Sequence, residues 1–445
     1  MKLTSLIGLF VSLGLVLCLL NSTYKLEIMI YFCSISALWL IAASSRGSIQ
    51  ICLLIIVSVI TFFHTVSIGL SIFAPDVNRY FHLGVVSLDD RFFIIWLMTL
   101  MYVPFCFVMS VSSHLLYSQR PKLTIHSNYQ PAFLFVLLFN LIVLIFSQNE
   151  LLEALSFASK ILHYLRSYIR LDVAFVFICL FGFRSYSYKR ILFHSLSFLS
   201  LVTLGGSKEG LLRIAYALFI RHLSVQKISM NFKILLLVIF ALFSAPLIFT
   251  MATLARYSIN INFENMWSLF TGSSELLDLN VGFAILSRLS GLDEIIWSFD
   301  KGYMFENYYN FQTFLQSVIN FVLPYNFFDT NTLTAYSNLA RDFSFEEMMN
   351  SYSSKELSFA GSSYHLVGSN IFLSIILLII SGFIMSCVIK LFENSKAIYV
   401  IFLAMFYVPR SLSLDDTVAT LFNLIVSAYI FLKIAKILEK FKIQK

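Results

Sequence analysis

Apolar residues in this chain collect into twelve runs, and the length of those runs limits what it can fold into. They fall at 3–20, 28–43, 51–74, 92–113, 132–147, 172–183, 191–204, 211–220, 234–254, 370–389, 397–409 and 417–432. A helix that crosses a bilayer needs about 20 apolar residues, with a working range of about 17–25. The runs at 172–183, 211–220 and 397–409 are short, and are expected to extend into flanking residues or to lie tilted inside a bundle. A water-soluble chain cannot hide this much apolar surface. Of 445 residues, 59% are hydrophobic and 12% charged, against about 45–50% and about 25% in an average soluble domain. The expectation is an all-α polytopic integral membrane protein, a single membrane domain over 1–445 with twelve transmembrane helices. Soluble enzymes, nucleic-acid-binding modules and secreted disulfide scaffolds are excluded. The 16 Gly and 7 Pro are roughly half the usual share, which argues against broken, hinging helices. Tyr24, Lys25 and Leu26 follow the first run with no small-residue cleavage site, so 3–20 reads as a retained helix.

Basic residues orient such a chain, because Lys and Arg accumulate in cytoplasmic loops. With the N-terminus cytoplasmic, the inner segments carry 17 Lys and Arg and the short outer loops carry eight. Both termini are then cytoplasmic, and the expected location is the bacterial inner membrane. Of the 24 acidic residues only Glu393 and Glu439 fall inside. Acids do not drive insertion, so that imbalance marks the outer face as the working surface. Two outer, periplasmic segments stand out: an amphipathic loop at 148–171, and a large loop at 256–369 that is expected to be helical and packed on the membrane domain. All six cysteines (Cys18, Cys33, Cys52, Cys106, Cys179, Cys387) lie in apolar runs, so neither loop is stapled by disulfides.

The motifs of common soluble chemistries are missing. The sequence holds no P-loop, HExxH, CxxC or GxSxG, and neither a cofactor nor a metal is expected. Gly205-Gly206-Ser207-Lys208-Glu209-Gly210 joins the seventh and eighth runs on the outer side. It reads either as a tight turn or as an anion site, where glycines let backbone N–H groups approach a phosphate and Lys208 adds a cation. In the loop 148–171, Lys160, His163, Arg166 and Arg170 share one helical face. They are either cations snorkelling to lipid headgroups or a basic lip for a lipid-linked phosphate. The large loop carries Arg256, Arg288, Asp293, Glu294, Arg341 and Asp342 among many aromatics, including Trp267, Trp297, Tyr303 and Tyr308. Rings that stack on sugar C–H faces beside carboxylates that accept from hydroxyls suit a glycan. Interfacial Tyr and Trp would look the same. His365, in Gly361-Ser362-Ser363-Tyr364-His365, sits just before the tenth run, where an imidazole is either structural or a base with a pKa near neutrality.

Gly205-Gly206-Ser207-Lys208-Glu209-Gly210-Leu211-Leu212 is similar to the S-R-G-x-L-L stretch of the O-antigen ligase and polymerase superfamily, with Lys208 where that family usually has Arg. Tyr364-His365-Leu366, leading into a Gly-bearing helix, is similar to the family's histidine after its large loop. With twelve runs, inner termini and large third and fifth outer loops, the chain resembles the Wzy-type O-antigen polymerases. The family's arginine-x10-glycine loop pattern is not reproduced: Arg170 misses it by one position, with Gly182. The resemblance implies a metal-independent glycosyltransferase that moves a glycan from one undecaprenyl-pyrophosphate carrier to a lipid-linked repeat unit. His365 and Arg288 are then the expected catalytic residues. Lys208, Arg256, Arg166, Arg170, Arg341, Asp293 and Glu294 are expected to bind pyrophosphate or glycan. The expected partners are the lipid-linked donor and acceptor, membrane lipids and a chain-length regulator, with no nucleic acid. Two other readings remain open: a flippase or other twelve-helix transporter, and a glycosyltransferase that uses Asp89-Asp90 as catalytic carboxylates with a lipid-monophosphate sugar.

The charge count makes a testable topology. Cysteines introduced at Ser273 and Ser353, in 256–369, should react with impermeant reagent added from outside. Labelling of either one only from the cytoplasmic side overturns the orientation.

Overall fold

The computed structural model describes residues 25–73, 88–119, 121, 129–148, 162, 165–166, 168–181, 188–204, 210–225, 251, 371–408 and 414–443. Among these residues the chain is helical throughout, with no strand. The helices are α1 (Lys25–Ser44), α2 (Gly47–Phe73), α3 (Leu88–Leu115), α4 (Tyr129–Gln148), α5 (Leu171–Phe181), α6 (Tyr188–Leu204), α7 (Gly210–Val225), α8 (Ile371–Phe392), α9 (Ile398–Ala404) and α10 (Leu414–Ile443). Each coincides with one of the apolar runs. The run at 3–20 and, apart from Met251, the run at 234–254 lie outside the described residues, as does the loop 256–369. Six helices have 20 or more residues, or about 30 Å or more at 1.5 Å per residue. Two stretches among the described residues, Tyr129–Phe146 and Thr420–Lys440, are long and apolar enough to cross a membrane. Only 39% and 33% of those stretches are buried. On α4 the outward positions are Leu134, Phe135, Leu138, Ile142 and Ile145, one helical face with no polar group for water to hold. Surfaces of this kind face lipid rather than water, as expected of a helical membrane protein.

The chain divides into two compact units. In the first, α3 packs against α1, α2 and α8. Several of its buried polar groups pair across helices. Trp39 Nε1 donates to Thr61 Oγ1 at 3.1 Å, and His64 Nδ1 lies 2.8 Å from Thr99 Oγ1. At one end, three connections knot together. Ser48 N donates to Gln119 O at 3.0 Å and Arg46 N to Ser113 Oγ at 3.1 Å. Lys390 Nζ reaches Tyr117 O at 3.0 Å and Glu393 Oε1 at 2.6 Å. Glu393 Oε2 accepts from Gln119 N at 3.2 Å. The sequence reading gave Arg46, Lys390 and Glu393 a common side, and their segments do meet at one end of this unit.

In the second unit α5 is the centre, packed against α4, α6 and α7. All 11 of its residues are buried. Phe175 stacks on Phe198 of α6 with centroids 4.7 Å apart, and Phe177 stacks on Phe431 of α10 at 5.2 Å. The run at 172–183 was expected to extend into flanking residues or to lie tilted inside a bundle; the described part, α5, runs over Leu171–Phe181 and is buried along its length. A buried helix and a lipid-facing one are equally apolar in sequence, so the run could not tell them apart. The run at 397–409 behaves in the same way: α9 has seven residues, and Ile398 through Phe406 are buried. By contrast α7 is longer than its run. Arg221, counted among cytoplasmic loop residues, lies inside that helix and is buried.

Gly47 tests the knot. Its φ is +63°, and a Cβ there would stand 2.3 Å from the backbone of Ser118. Gly47→Ala therefore combines a disfavoured backbone with a backbone clash, and should cost about 2–3 kcal/mol or more. A lowered midpoint of thermal unfolding in detergent checks this, and an unchanged midpoint contradicts it.

Candidate anion site

The chain enters α5 through Arg170-Leu171-Asp172. The Arg170 carbonyl accepts Ala174 N at 3.2 Å, which starts the helical hydrogen-bond ladder. Asp172 is the only charged residue of α5. An acid in the first turn suits the positive end of a helix, and Oδ1 also accepts Val173 N at 2.9 Å. A carboxylate this deeply buried needs a cation, and Asp172 has two. Arg170 grips it with two parallel bonds, Nε to Oδ1 at 3.1 Å and Nη2 to Oδ2 at 2.7 Å. That is the fork geometry Arg makes with carboxylates. Arg213 Nη1, from the first turn of α7, stands 3.8 Å from Oδ2. This is an ion pair, but too long for a hydrogen bond. The Asp172 side chain is 3% exposed, while the side chains of Arg170 and Arg213 keep 24% and 25%. The acid is shut inside, and the two arginine side chains are partly exposed.

A third arginine lies one turn earlier. Arg166 is helical and half-buried, and Ile169 N donates to Leu165 O at 2.8 Å through that turn. Arg166 makes no ion pair among the described residues. Burial lowers its guanidinium pKa from the ordinary value, the mark of a cation held partly away from water. From α4, Asn140 Nδ2 donates to Val136 O at 2.9 Å and to Ile169 O at 3.1 Å. That second bond moors the backbone immediately before Arg170. On the other side Gly210 opens α7 hard against α6: a Cβ there would sit 3.0 Å from Leu199 and 3.3 Å from Val202. Gly210 is thus needed for helix packing, whatever the preceding glycines do.

Two arginines meet one carboxylate where α5 and α7 begin. Guanidiniums can bind an anion, with phosphate oxygens matching their fork. Of the residues expected from sequence, the structure brings Arg170 to this site; Arg166 lies one turn upstream in the chain, with no hydrogen bond or ion pair to it. Lys208, which precedes α7, lies outside the described residues, as do Arg256, Arg288, Asp293, Glu294, Arg341 and His365. Asp89 and Asp90 fall in the first turn of α3. Sequence reasoning missed Asp172 and Arg213 as partners. The available signal was a lone charge inside each of two apolar runs, since such a charge needs a mate. Among the described residues no three His, Cys, Asp or Glu side chains gather as a metal site would require. No protein-family model matches the chain, and neither a curated protein nor a solved structure matches it.

Asn140→Leu removes the mooring at Ile169 and leaves that carbonyl without its side-chain donor. It should cost about 1 kcal/mol and speed hydrogen exchange of the Val173 and Ala174 amides. Unchanged exchange at both amides would show that Asn140 does not order the entry to α5.

Proposed function

We propose that the chain polymerises undecaprenyl-pyrophosphate-linked oligosaccharide repeat units into a surface polysaccharide, O-antigen or capsule, by block transfer at the periplasmic face of the inner membrane. In this reading about twelve helices span the bilayer and both termini are cytoplasmic. The observation that carries it is the pairing of Arg170 and Arg213 with the buried Asp172. It lies where α5 and α7 begin, the end that the charge pattern assigns to the outside. The likeness of 205–212 and 364–366 to the Wzy-type polymerases supplies the substrate class.

In the reaction an acceptor hydroxyl oxygen attacks the anomeric carbon of the donor glycan. The bond from that carbon to the pyrophosphate oxygen breaks, and the lipid pyrophosphate leaves with the electron pair. Arginines stabilise the departing charge with bidentate hydrogen bonds. The hydroxyl proton passes to a base, for which His365 is the choice and Asp293 or Glu294 the substitutes. Arg288 and Arg256 join the arginines that neutralise pyrophosphate, while Arg341 and the loop aromatics hold glycan.

A second reading, a flippase for lipid-linked oligosaccharide, is favoured by α9. A short buried helix of seven residues resembles the discontinuous helices of transporters. Purified protein in proteoliposomes with lipid-linked repeat separates the two: the polymerase makes long glycans, whereas the flippase only changes the leaflet. For the polymerase, Arg170→Ala and Arg213→Gln should each slow chain growth by roughly 10–10³-fold. His365→Gln should slow it by roughly 10²–10⁴-fold. Normal growth by the two arginine variants at equal expression removes this cluster from the mechanism.

A further inference from the structure

We propose that the last turns of α10 form a binding site for the anionic headgroup of a phospholipid, made by Lys433, Lys436 and Lys440 on the side of the helix that faces lipid. The site is independent of the polymerase reading. This half of α10 has two unlike faces. Leu424, Ala428, Phe431 and Ala435 are buried, and Phe431 packs on Phe177 of α5 and on Tyr129 of α4 with centroids 5.2 and 5.8 Å apart. Tyr429, Lys433, Lys436, Ile437 and Lys440 are exposed, and steps of three and four residues put them on one face. Tyr429 is 61% exposed and Ile437 53%. Side chains as open as these, on a stretch long and apolar enough to cross a membrane, lie against lipid. The three lysines thus stand on the lipid side of a helix and not in a loop, where the usual bias of basic residues toward the cytoplasm acts.

Their depth selects the partner. An amphipathic ring such as Tyr429 suits the boundary between hydrocarbon and headgroups. Lys433 Nζ lies over that ring, 5.2 Å from its centroid. Helical side chains lean toward the helix N-terminus, so this ammonium is carried back toward the hydrocarbon. Lys436 and Lys440 continue the face, and the three lysines span about 10 Å at 1.5 Å per residue. Ammonium groups beside hydrocarbon call for a counter-charge, and the protein supplies none here: the three lysines make no hydrogen bond or ion pair among the described residues. Glu439 is the one acid in 423–443, and its charge acts on Tyr129, which packs against Phe431 on the other face. A phospholipid phosphodiester meets the need. Its charge lies at the level of the lysines, and its acyl chains run along Tyr429 and the lysine stems.

The test places the full chain in phosphatidylcholine nanodiscs doped with a photoactivatable lipid, either phosphatidylglycerol or phosphatidylcholine, with a diazirine at the same acyl position beside the ester. Crosslinks to the segment Tyr429–Lys440 are read by mass spectrometry. Phosphatidylglycerol should label the segment roughly fivefold or more above phosphatidylcholine. Lys433→Gln, Lys436→Gln and Lys440→Gln together should remove that excess, and Lys→Arg at the same three positions should keep it. Equal labelling by the two lipids in the unaltered chain overturns the proposal, as does an excess that survives the glutamine variant. Loss of the excess in the arginine variant also overturns it, because charge is then not what selects the lipid. Labelling by neither lipid overturns it as well, and points to an acidic protein segment on this face. If the triple glutamine variant does not fold, Lys436→Gln alone carries the test: a smaller excess at an unchanged melting temperature supports the site, and an unchanged excess overturns it.

Discussion

A polar side chain on the outside of these helices has nothing to bond to, and the interior arrangement of both units follows from that. Leu134, Leu138 and Ile142 are typical of the outward faces. Many of the hydroxyls inside therefore bond locally. Ser34, Ser58, Thr61, Ser386 and Ser427 each donate to the carbonyl one turn back, a bond that keeps a polar group legal inside an apolar helix. Groups that cannot close on their own helix pair across helices. Trp39 uses Thr61, and His64 meets Thr99. The strongest polar groups, the charges, obey the same rule at higher stakes. Asp172 takes Arg170 and Arg213, and Glu393 takes Lys390 together with a backbone amide.

That rule explains which parts of the molecule could be read in advance. Apolar length carries nearly all the information about where helices lie. The run 28–43 became Lys25–Ser44, and 191–204 became Tyr188–Leu204. What apolar length does not carry is whether a helix meets lipid or protein. For this reason the runs at 172–183 and 397–409 did not show in advance that α5 and α9 are buried against protein. Charge was read as a marker of loops, which misplaced Arg221, a buried residue of α7. The same habit hid half of the anion site. Arg166 and Arg170 were visible because a face repeats along one segment. Asp172 and Arg213 meet only once α5 and α7 are packed, and no local spacing encodes that.

The position of α5 also accounts for where the chemistry is anchored. Loops supply reactive groups best when a rigid scaffold positions them. Here the scaffold is a helix with no exposed residue, wedged by Phe175 on Phe198 and by Phe177 on Phe431. Its first turn is the point where a buried element becomes a surface one. The buried acid sits there, paired with Arg170 and Arg213. Asn140 and Gly210 complete the frame from the two flanks, one by holding the backbone at Ile169 and the other by letting α7 start in contact with α6.

The electrostatics of that frame run against ordinary helix design. Backbone dipoles make a helix N-terminus positive, so cations are disfavoured in the first turn and acids favoured. Asp172 obeys this rule, but Arg170 just before α5 and Arg213 in the first turn of α7 break it. Arg166 adds a further charge one turn upstream, with no ion pair among the described residues. A chain selected for stability alone would place acids at both helix starts, or balance each arginine with its own carboxylate. Departures from such rules gather at functional sites, where a local cost is kept because a ligand relieves it. In the proposed function the ligand is an anion, and a phosphate chain can meet guanidiniums from two elements better than a single carboxylate can.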